Sequence, residues 1–270
     1  MAHGSSATFL RRTPSGRHRR VAILSGLVVA AALAVVPVTA SANHSWGSYH
    51  WATSSLPFTL KLGNNLTGNW TTSPYGGTYL GNISSDWSVS SVLDTTIATG
   101  AGLKRCGAVN GRVEVCNDTY GRNGWLGVAS IWASGSHITK ATVKVNDTYY
   151  TTAAYNTQEW RRSVLCQEVG HTFGLGHQSE DPTVNTGSCM DYYQVPNIAP
   201  NVHDYAQLQS IYGHTGETAT VSSAATTTRR GLVRVREGIY VEDFGDGRRR
   251  VVFVSWQDQD QQHLAAPAGV

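Results

Sequence analysis

The chain has 270 residues, with 21 lysines and arginines against 18 aspartates and glutamates, and its formal net charge at pH 7 is +3. Five of those arginines lie in residues 1–42, which contain no acid, so the remainder carries 16 basic and 18 acidic residues and a net charge of −2. That balance provides no basic face of the kind that nucleic-acid binding requires, and we expect no nucleic-acid partner.

Residues 1–42 have the three parts of an export signal. Arginines between positions 11 and 20 precede the apolar run Val21–Val36, and Ala40-Ser41-Ala42 forms an A-x-A cleavage pattern. A retained membrane anchor is the alternative, but the run has 16 residues, whereas a membrane-spanning helix needs about 20. Arg19-Arg20 leaves twin-arginine export open. We predict a secreted, extracellular protein that starts at Asn43 and has no stable membrane association after cleavage.

Five segments have the alternating or β-branched character of strands. They are Leu56–Leu62, Val92–Ala98, Val113–Cys116, Leu126–Trp132 and Ile138–Val145. In the first segment, Phe58, Leu60 and Leu62 fall on one face, while Thr59 and Lys61 fall on the other. The pattern predicts a sheet of about five strands.

Three helices are predicted from spacing and capping residues. Aromatic and apolar residues recur every four positions over Tyr75–Trp87. A second helix follows Asn156, which with Glu159 is expected to form a capping box. A third covers Val202–Tyr212 with Asn201 as its cap. Helices and strands in this order predict the α+β class.

The C-terminal part of the chain changes character after Tyr212. Residues 43–213 are expected to form one domain, and 214–236 read as a linker that is rich in threonine, serine and alanine. In the tail, residues 237–270, the segments Gly238–Phe244 and Arg248–Trp256 predict a hairpin of unassigned role. A lone hairpin is marginally stable in water, so we expect it to pack on the main domain or on another molecule.

All four cysteines lie in the exported part of the chain, which favours disulfides. We favour Cys106 with Cys116, which closes a short loop that contains glycine, and Cys166 with Cys189, which flanks the motif described next. The other pairings remain possible, as does zinc binding, although no C-x-x-C spacing is present.

The segment Gln167–His177 has the spacing of a zinc site. Residues 167 and 171 lie on one face of a helix, with Glu168 beside them, and Gly174 can turn the chain so that His177 reaches the same point. Zinc held by three protein ligands keeps a water whose pKa falls to about 7. Glu168 is then the expected general base.

This motif, followed by Ser188-Cys189-Met190-Asp191-Tyr192-Tyr193, resembles the metzincin clan of zinc endopeptidases, and most closely the matrixin-like secreted proteins of actinobacteria. The resemblance covers about residues 56–212. It implies a mixed twisted sheet, an active-site helix, a methionine turn and a C-terminal helix.

The resemblance also implies individual roles. His171 and His177 would be zinc ligands, Met190 the floor of the site, and Tyr192 a side chain near the metal. An extended polypeptide substrate would pair with the strand that borders the cleft, within Gly127–Trp132.

Gln167 stands where the family pattern, H-E-x-x-H-x-x-G-x-x-H, has its first histidine. An amide oxygen is a weaker zinc donor than an imidazole nitrogen. Three outcomes remain open: Gln167 binds the metal, another residue replaces it, or the site is empty. The candidate replacements are His203, His214, Asp181 and Asp191. A second, structural metal site could use His44, His50 or His137.

The sequence therefore predicts a monomeric secreted endopeptidase that requires Zn²⁺ and acts on polypeptides. The alternative is a catalytically inactive relative that binds a peptide or a cell-wall ligand.

Overall fold

A computed structural model describes residues 44–193, 195–216 and 231–257. The predicted signal peptide, residues 1–42, lies outside the described residues, as do positions 217–230 of the predicted linker and the last part of the tail, 258–270. Within the described ranges, no helix has the length and apolar character needed to cross a bilayer.

The strands of the described residues form one mixed sheet of nine strands. They are β1 (His50–Trp51), β2 (Phe58–Asn65), β3 (Leu93–Thr99), β4 (Arg112–Asp118), β5 (Trp125–Ser134), β6 (His137–Asn146), β7 (Val233–Arg236), β8 (Ile239–Gly245) and β9 (Arg248–Trp256). The order across the sheet is β3-β2-β4-β6-β5-β9-β8-β7, and β1 pairs with the start of β6. The sheet is thus larger than the five strands predicted.

Few helices accompany this sheet, so the molecule has the mixed α+β character that was predicted. They are α1 (Tyr79–Trp87), α2 (Asp147–Tyr150), α3 (Gln158–His171) and α4 (Val202–Tyr212), with a short 3-10 turn at Gly68–Trp70. Helix α1 starts four residues after the predicted position, because the Thr78 side chain accepts from the Gly81 N–H and caps it there.

All five predicted strands are present as β2 to β6. Strands β2, β3, β4 and β6 are parallel, whereas β5 runs antiparallel to β6. On β2, the predicted apolar residues Phe58, Leu60 and Leu62 are buried, and Thr59 and Lys61 are exposed. The core lies between this sheet and the helices α1 and α3.

The predicted cap of the motif helix α3 is wrong by one residue. The Thr157 side chain, not that of Asn156, caps the helix by accepting from the Trp160 N–H. The Asn156 side-chain oxygen instead accepts from Arg161 Nη2 at 2.5 Å. Glu159 therefore occupies the second helical position, and the expected capping box does not form.

The predicted cap of α4 is confirmed. The Asn201 side chain accepts from the backbone N–H groups of His203 and Asp204, and the Asp204 carboxylate accepts from the Asn201 N–H in return. This reciprocal pair satisfies the free N–H groups at the start of the helix.

Two disulfides join the pairs that the sequence favoured, Cys106–Cys116 and Cys166–Cys189. No free cysteine occurs in the described part of the chain. Cys166–Cys189 ties α3 to the residue before Met190. Together with the lack of a membrane-spanning helix among residues 44–193, 195–216 and 231–257, the disulfides are compatible with a secreted protein.

The predicted C-terminal hairpin is confirmed as β8 and β9, which pair antiparallel. Strand β7 continues the sheet beyond β8 and lies within the stretch 214–236 that was predicted as a linker. On its other side, β9 pairs antiparallel with β5. Trp125 lies opposite Trp256 at one end, and Ser134 lies opposite Arg248 at the other. The hairpin therefore extends the main sheet through β5.

Candidate functional site

Helix α3 and the turn after it bring the predicted site residues together. Glu168 and His171 lie near the helix end and are fully buried. At Gly174 the backbone has a φ of +89°, and a Cβ there would lie 2.1 Å from the carbonyl oxygen of Tyr49, so the turn requires glycine. The returning chain brings the His177 ring to 4.7 Å from the His171 ring, centroid to centroid.

Both histidines are suited to hold a metal ion. His171 Nδ1 donates to the Leu175 carbonyl oxygen at 2.8 Å, which leaves Nε2 with its lone pair. Both ring nitrogens of His177 are buried and have no hydrogen-bond partner among the described residues. Burial lowers the pKa of His171 to about 4 and holds that of His177 well below its usual range, aided by repulsion from His171. The rings are therefore neutral at pH 7.

Glu168 lies beside these histidines in a fully buried position. Burial raises its pKa to about 8, although hydrogen bonds from the Ser255 side chain and from the backbone at Ala129 and Ser255 act in the opposite direction. Its Oε2 atom is buried without a partner in the described residues. Glu168 thus carries a proton at pH 7 in this arrangement.

The amide of Gln167 is engaged at both ends. Its Nε2 donates to the Asp191 carbonyl oxygen at 2.9 Å, and its Oε1 accepts from Ser255 Oγ at 2.5 Å. Ser255 Oγ also lies 2.5 Å from Glu168 Oε1. A hydroxyl has one hydrogen, so Ser255 can donate to only one of these two oxygens at a time. The Gln167 oxygen consequently points at a hydroxyl rather than at the histidines.

The methionine and tyrosine of the predicted turn are also at the site. Met190 is fully buried beneath α3, and a Cβ at Gly170 would lie 2.5 Å from its sulfur, so the absence of a side chain at Gly170 permits this close approach. The Tyr192 ring lies 4.0 Å from the His177 ring, centroid to centroid. Tyr192 therefore lies beside His177, and Met190 packs against α3 at Gly170.

None of the alternative third ligands joins His171 and His177. The Asp181 carboxylate accepts from Thr183, and that of Asp191 accepts from Thr186. The other histidines form separate ring contacts: His203 with His44, and both His137 and His214 with His50. In the described ranges, no group of three or more His, Cys, Asp or Glu side chains could hold a metal ion. The same finding gives no support in these ranges to a second metal site at His44, His50 or His137.

The residues present therefore fit a metal ion in part. His171 and His177 supply imidazole nitrogens. A bound cation and its water would provide partners for the buried, partnerless atoms of His177 and Glu168. Gln167 does not fit as it is placed, because its amide oxygen is held by Ser255.

The strand expected to bind substrate is not a free edge. Residues Gly127–Trp132 of β5 pair with β6 on one side and with β9 on the other. A substrate could therefore pair with this strand as expected only if β9 left it. Phe253 of β9 stacks on the His171 ring at 4.4 Å, with an angle of 7° between the planes.

A cavity of about 680 Å³ adjoins the site on the side of Gln167 and Ser255. Its walls include Trp160, Tyr193 and Trp256. His171, His177 and Glu168 do not line it.

Comparison with known proteins adds no relative to this picture. No family model matches the chain, and a search of curated proteins found no match.

Proposed function

We propose that the protein is a secreted zinc-dependent endopeptidase. One observation carries this proposal: the partnerless nitrogens of His177 and the partnerless oxygen of Glu168 are buried next to His171. Leaving buried polar atoms without partners is costly. A bound cation with its water would satisfy them.

His171 and His177 would hold the ion, and the Gln167 oxygen would be the third donor once it turns away from Ser255. When bound, zinc supplies Lewis-acid chemistry that polarises a peptide carbonyl and lowers the pKa of water to about 7. The nearby positive charge would also lower the pKa of Glu168, so that this residue becomes an ionised base.

Ionised Glu168 would take a proton from the attacking water and return it to the leaving amine, as general acid–base catalysis requires. The Nδ1 hydrogen bond of His171 to Leu175 keeps that ring in the orientation and tautomer a ligand needs. Met190 would support α3 at Gly170, next to His171. The substrate is expected to be an extended polypeptide.

Replacing Glu168 tests this proposal. We expect the wild-type chain to bind about one zinc per molecule and to cleave casein in a chelator-sensitive way. Glu168→Gln should keep the zinc and lose cleavage by about 10²- to 10⁴-fold, because the base is gone. The control, Glu159→Gln, changes an exposed carboxylate on the same helix. Retention of full cleavage by Glu168→Gln would contradict the mechanism.

A second candidate is a non-catalytic protein that binds a peptide or cell-wall ligand. The observation that favours it is the Gln167 amide, which is occupied at both ends by Asp191 and Ser255. Elemental analysis separates the candidates, because the non-catalytic protein would contain no zinc under conditions where the endopeptidase contains about one per chain.

A further inference from the structure

The C-terminal strand β9 occupies the edge at which a polypeptide would reach the candidate site. Without residues 231–257, β5 would be an edge strand with free backbone groups. Strand β9 pairs antiparallel with β5 along its whole length. An extended peptide that adds to a sheet edge makes the same kind of backbone pairing.

One face of β9 points into the site. Val251 and Phe253 belong to the main core, the Phe253 ring covers His171, and Ser255 contacts both Gln167 and Glu168. These three residues alternate along the strand, as side chains on one face do. Strand β9 therefore covers His171 and contacts Glu168, two of the candidate catalytic groups.

The opposite face of β9 is also packed against apolar residues. Val252, Val254 and Trp256 form a second apolar cluster with Trp125, Val128 and Tyr240. Separation of β9 from β5 would expose this cluster to water, which is unfavourable. The intact chain should consequently open rarely.

Other contacts hold the hairpin over the same region. Arg236 lies over the Trp46 ring at 5.4 Å, and Trp46 meets Phe253 edge to face. A Cβ at Gly238 would lie 2.7 Å from the Tyr192 hydroxyl oxygen, so the turn between β7 and β8 closely covers Tyr192.

We propose that residues 231–257 are an intramolecular blocking segment, in which β9 takes the place of a polypeptide on β5 and must be displaced before substrate binds. The proposal rests on the proposed function for its substrate class. Displacement would also release the Gln167 oxygen from Ser255, so zinc affinity should rise at the same time.

The test uses the full chain with a recognition sequence for a site-specific protease inserted after Gly216, compared before and after cutting. A synthetic peptide that copies residues 248–257 serves as the binding probe. After cutting, we expect the probe to bind about tenfold more tightly or better, because a larger fraction of chains is open. Amide hydrogen exchange of β5 and zinc affinity should rise as well. Equal probe binding and equal β5 protection in the cut and uncut chains would overturn the proposal.

A point variant keeps the test independent of cutting. Ser255→Glu puts a larger, ionisable side chain at a buried position beside Gln167 and Glu168 and should loosen β9, with the same rise in probe binding and β5 exchange. Val233→Glu adds the same side chain at an exposed position of β7 and should leave both unchanged. If Ser255→Glu is folded by circular dichroism and behaves like Val233→Glu, β9 is a permanent part of the core and the proposal fails.

The two proposals fail differently. If only the protease assignment is wrong, cutting still raises probe binding and β5 exchange, while zinc and cleavage stay absent. If only the blocking segment is wrong, the uncut chain binds zinc and cleaves peptides as fast as the cut chain.

Discussion

Buried ionisable residues at the site should make the stability of the metal-free protein depend on pH in two directions. Glu168 has a pKa of about 8 in the folded state and 4.5 as its ordinary value, so its contribution is full below pH 4.5 and is lost as the pH rises to about 8. His171 has a folded pKa of about 4 against 6.5, so its contribution is full above pH 6.5 and is lost as the pH falls. The pKa of His177 is lowered in the folded state, as that of His171 is.

We therefore predict maximal stability near pH 6.5. Below that value the two histidines raise stability with pH more than Glu168 lowers it, and above it only Glu168 changes stability, which then falls. Each group changes the free energy of unfolding by up to about 1.4 kcal/mol per pH unit. Urea unfolding from pH 4.5 to 8.5 would measure this. Glu168→Gln should abolish the decline above pH 6.5, and parallel curves for both proteins would contradict the assignment.

The side chain at position 167 should decide how strongly the proposed site binds zinc. We predict that Gln167→His raises zinc affinity by about tenfold or more, which is about 1.4 kcal/mol of binding free energy. An imidazole nitrogen is the better zinc donor, and the hydrogen bond that Ser255 makes to the amide oxygen would be lost. Competition with a chelator measures the affinity. Gln158→His, at an exposed position of α3, is the control and should change nothing.

At the scale of elements, the approach of α3 to β5 places Glu168 in the site, and Gly127 makes that approach possible. A Cβ at Gly127 would lie 2.6 Å from Val164 Cγ1 and 2.7 Å from Glu168 Oε1. Gly127→Ala should therefore displace the helix and lower the free energy of unfolding by about 1–3 kcal/mol. Chemical denaturation provides the measurement.

Gly231→Ala is the matched control for this change, because a Cβ at Gly231 would meet no atom within 4 Å. Its effect should stay within about 0.5 kcal/mol. Similar small losses in both variants would mean that α3 does not depend on close contact with β5.

At the scale of the whole molecule, the two disulfides should differ in what they control. Cys166–Cys189 spans a sequence separation of 23 and joins α3 to the methionine segment, whereas Cys106–Cys116 spans 10 and lies away from the site. We predict that Cys166→Ala with Cys189→Ala costs about 3 kcal/mol of stability and also weakens zinc binding.

Cys106→Ala with Cys116→Ala is the comparison and should lower stability by a somewhat smaller amount, because the closed loop is shorter. Its zinc affinity should equal that of the intact protein. Equal loss of zinc affinity in both double variants would show that the tie between α3 and Met190 has no special role at the site.

Local patterns in the sequence determined much of this protein. Alternation predicted the strands β2 to β6 and the hairpin of β8 and β9, and Asn201 was predicted correctly as the cap of α4. These features depend on residues a few positions apart. The predicted cap of α3 was wrong because Arg161 binds the Asn156 side chain. That contact forms only when the helix is in place, so the local pattern did not reveal it.

Only the tertiary structure decided the state of the site. The spacing of residues 167, 168, 171 and 177 indicated which side chains would meet, but not that Ser255 would hold two of them or that Phe253 would cover a third. Ser255 is separated from Gln167 by 88 positions and from Glu168 by 87. Strand pairing uses backbone groups that every residue except proline carries in full, so the sequence of β9 does not specify β5 as its neighbour, and the packing of the complete fold makes that choice.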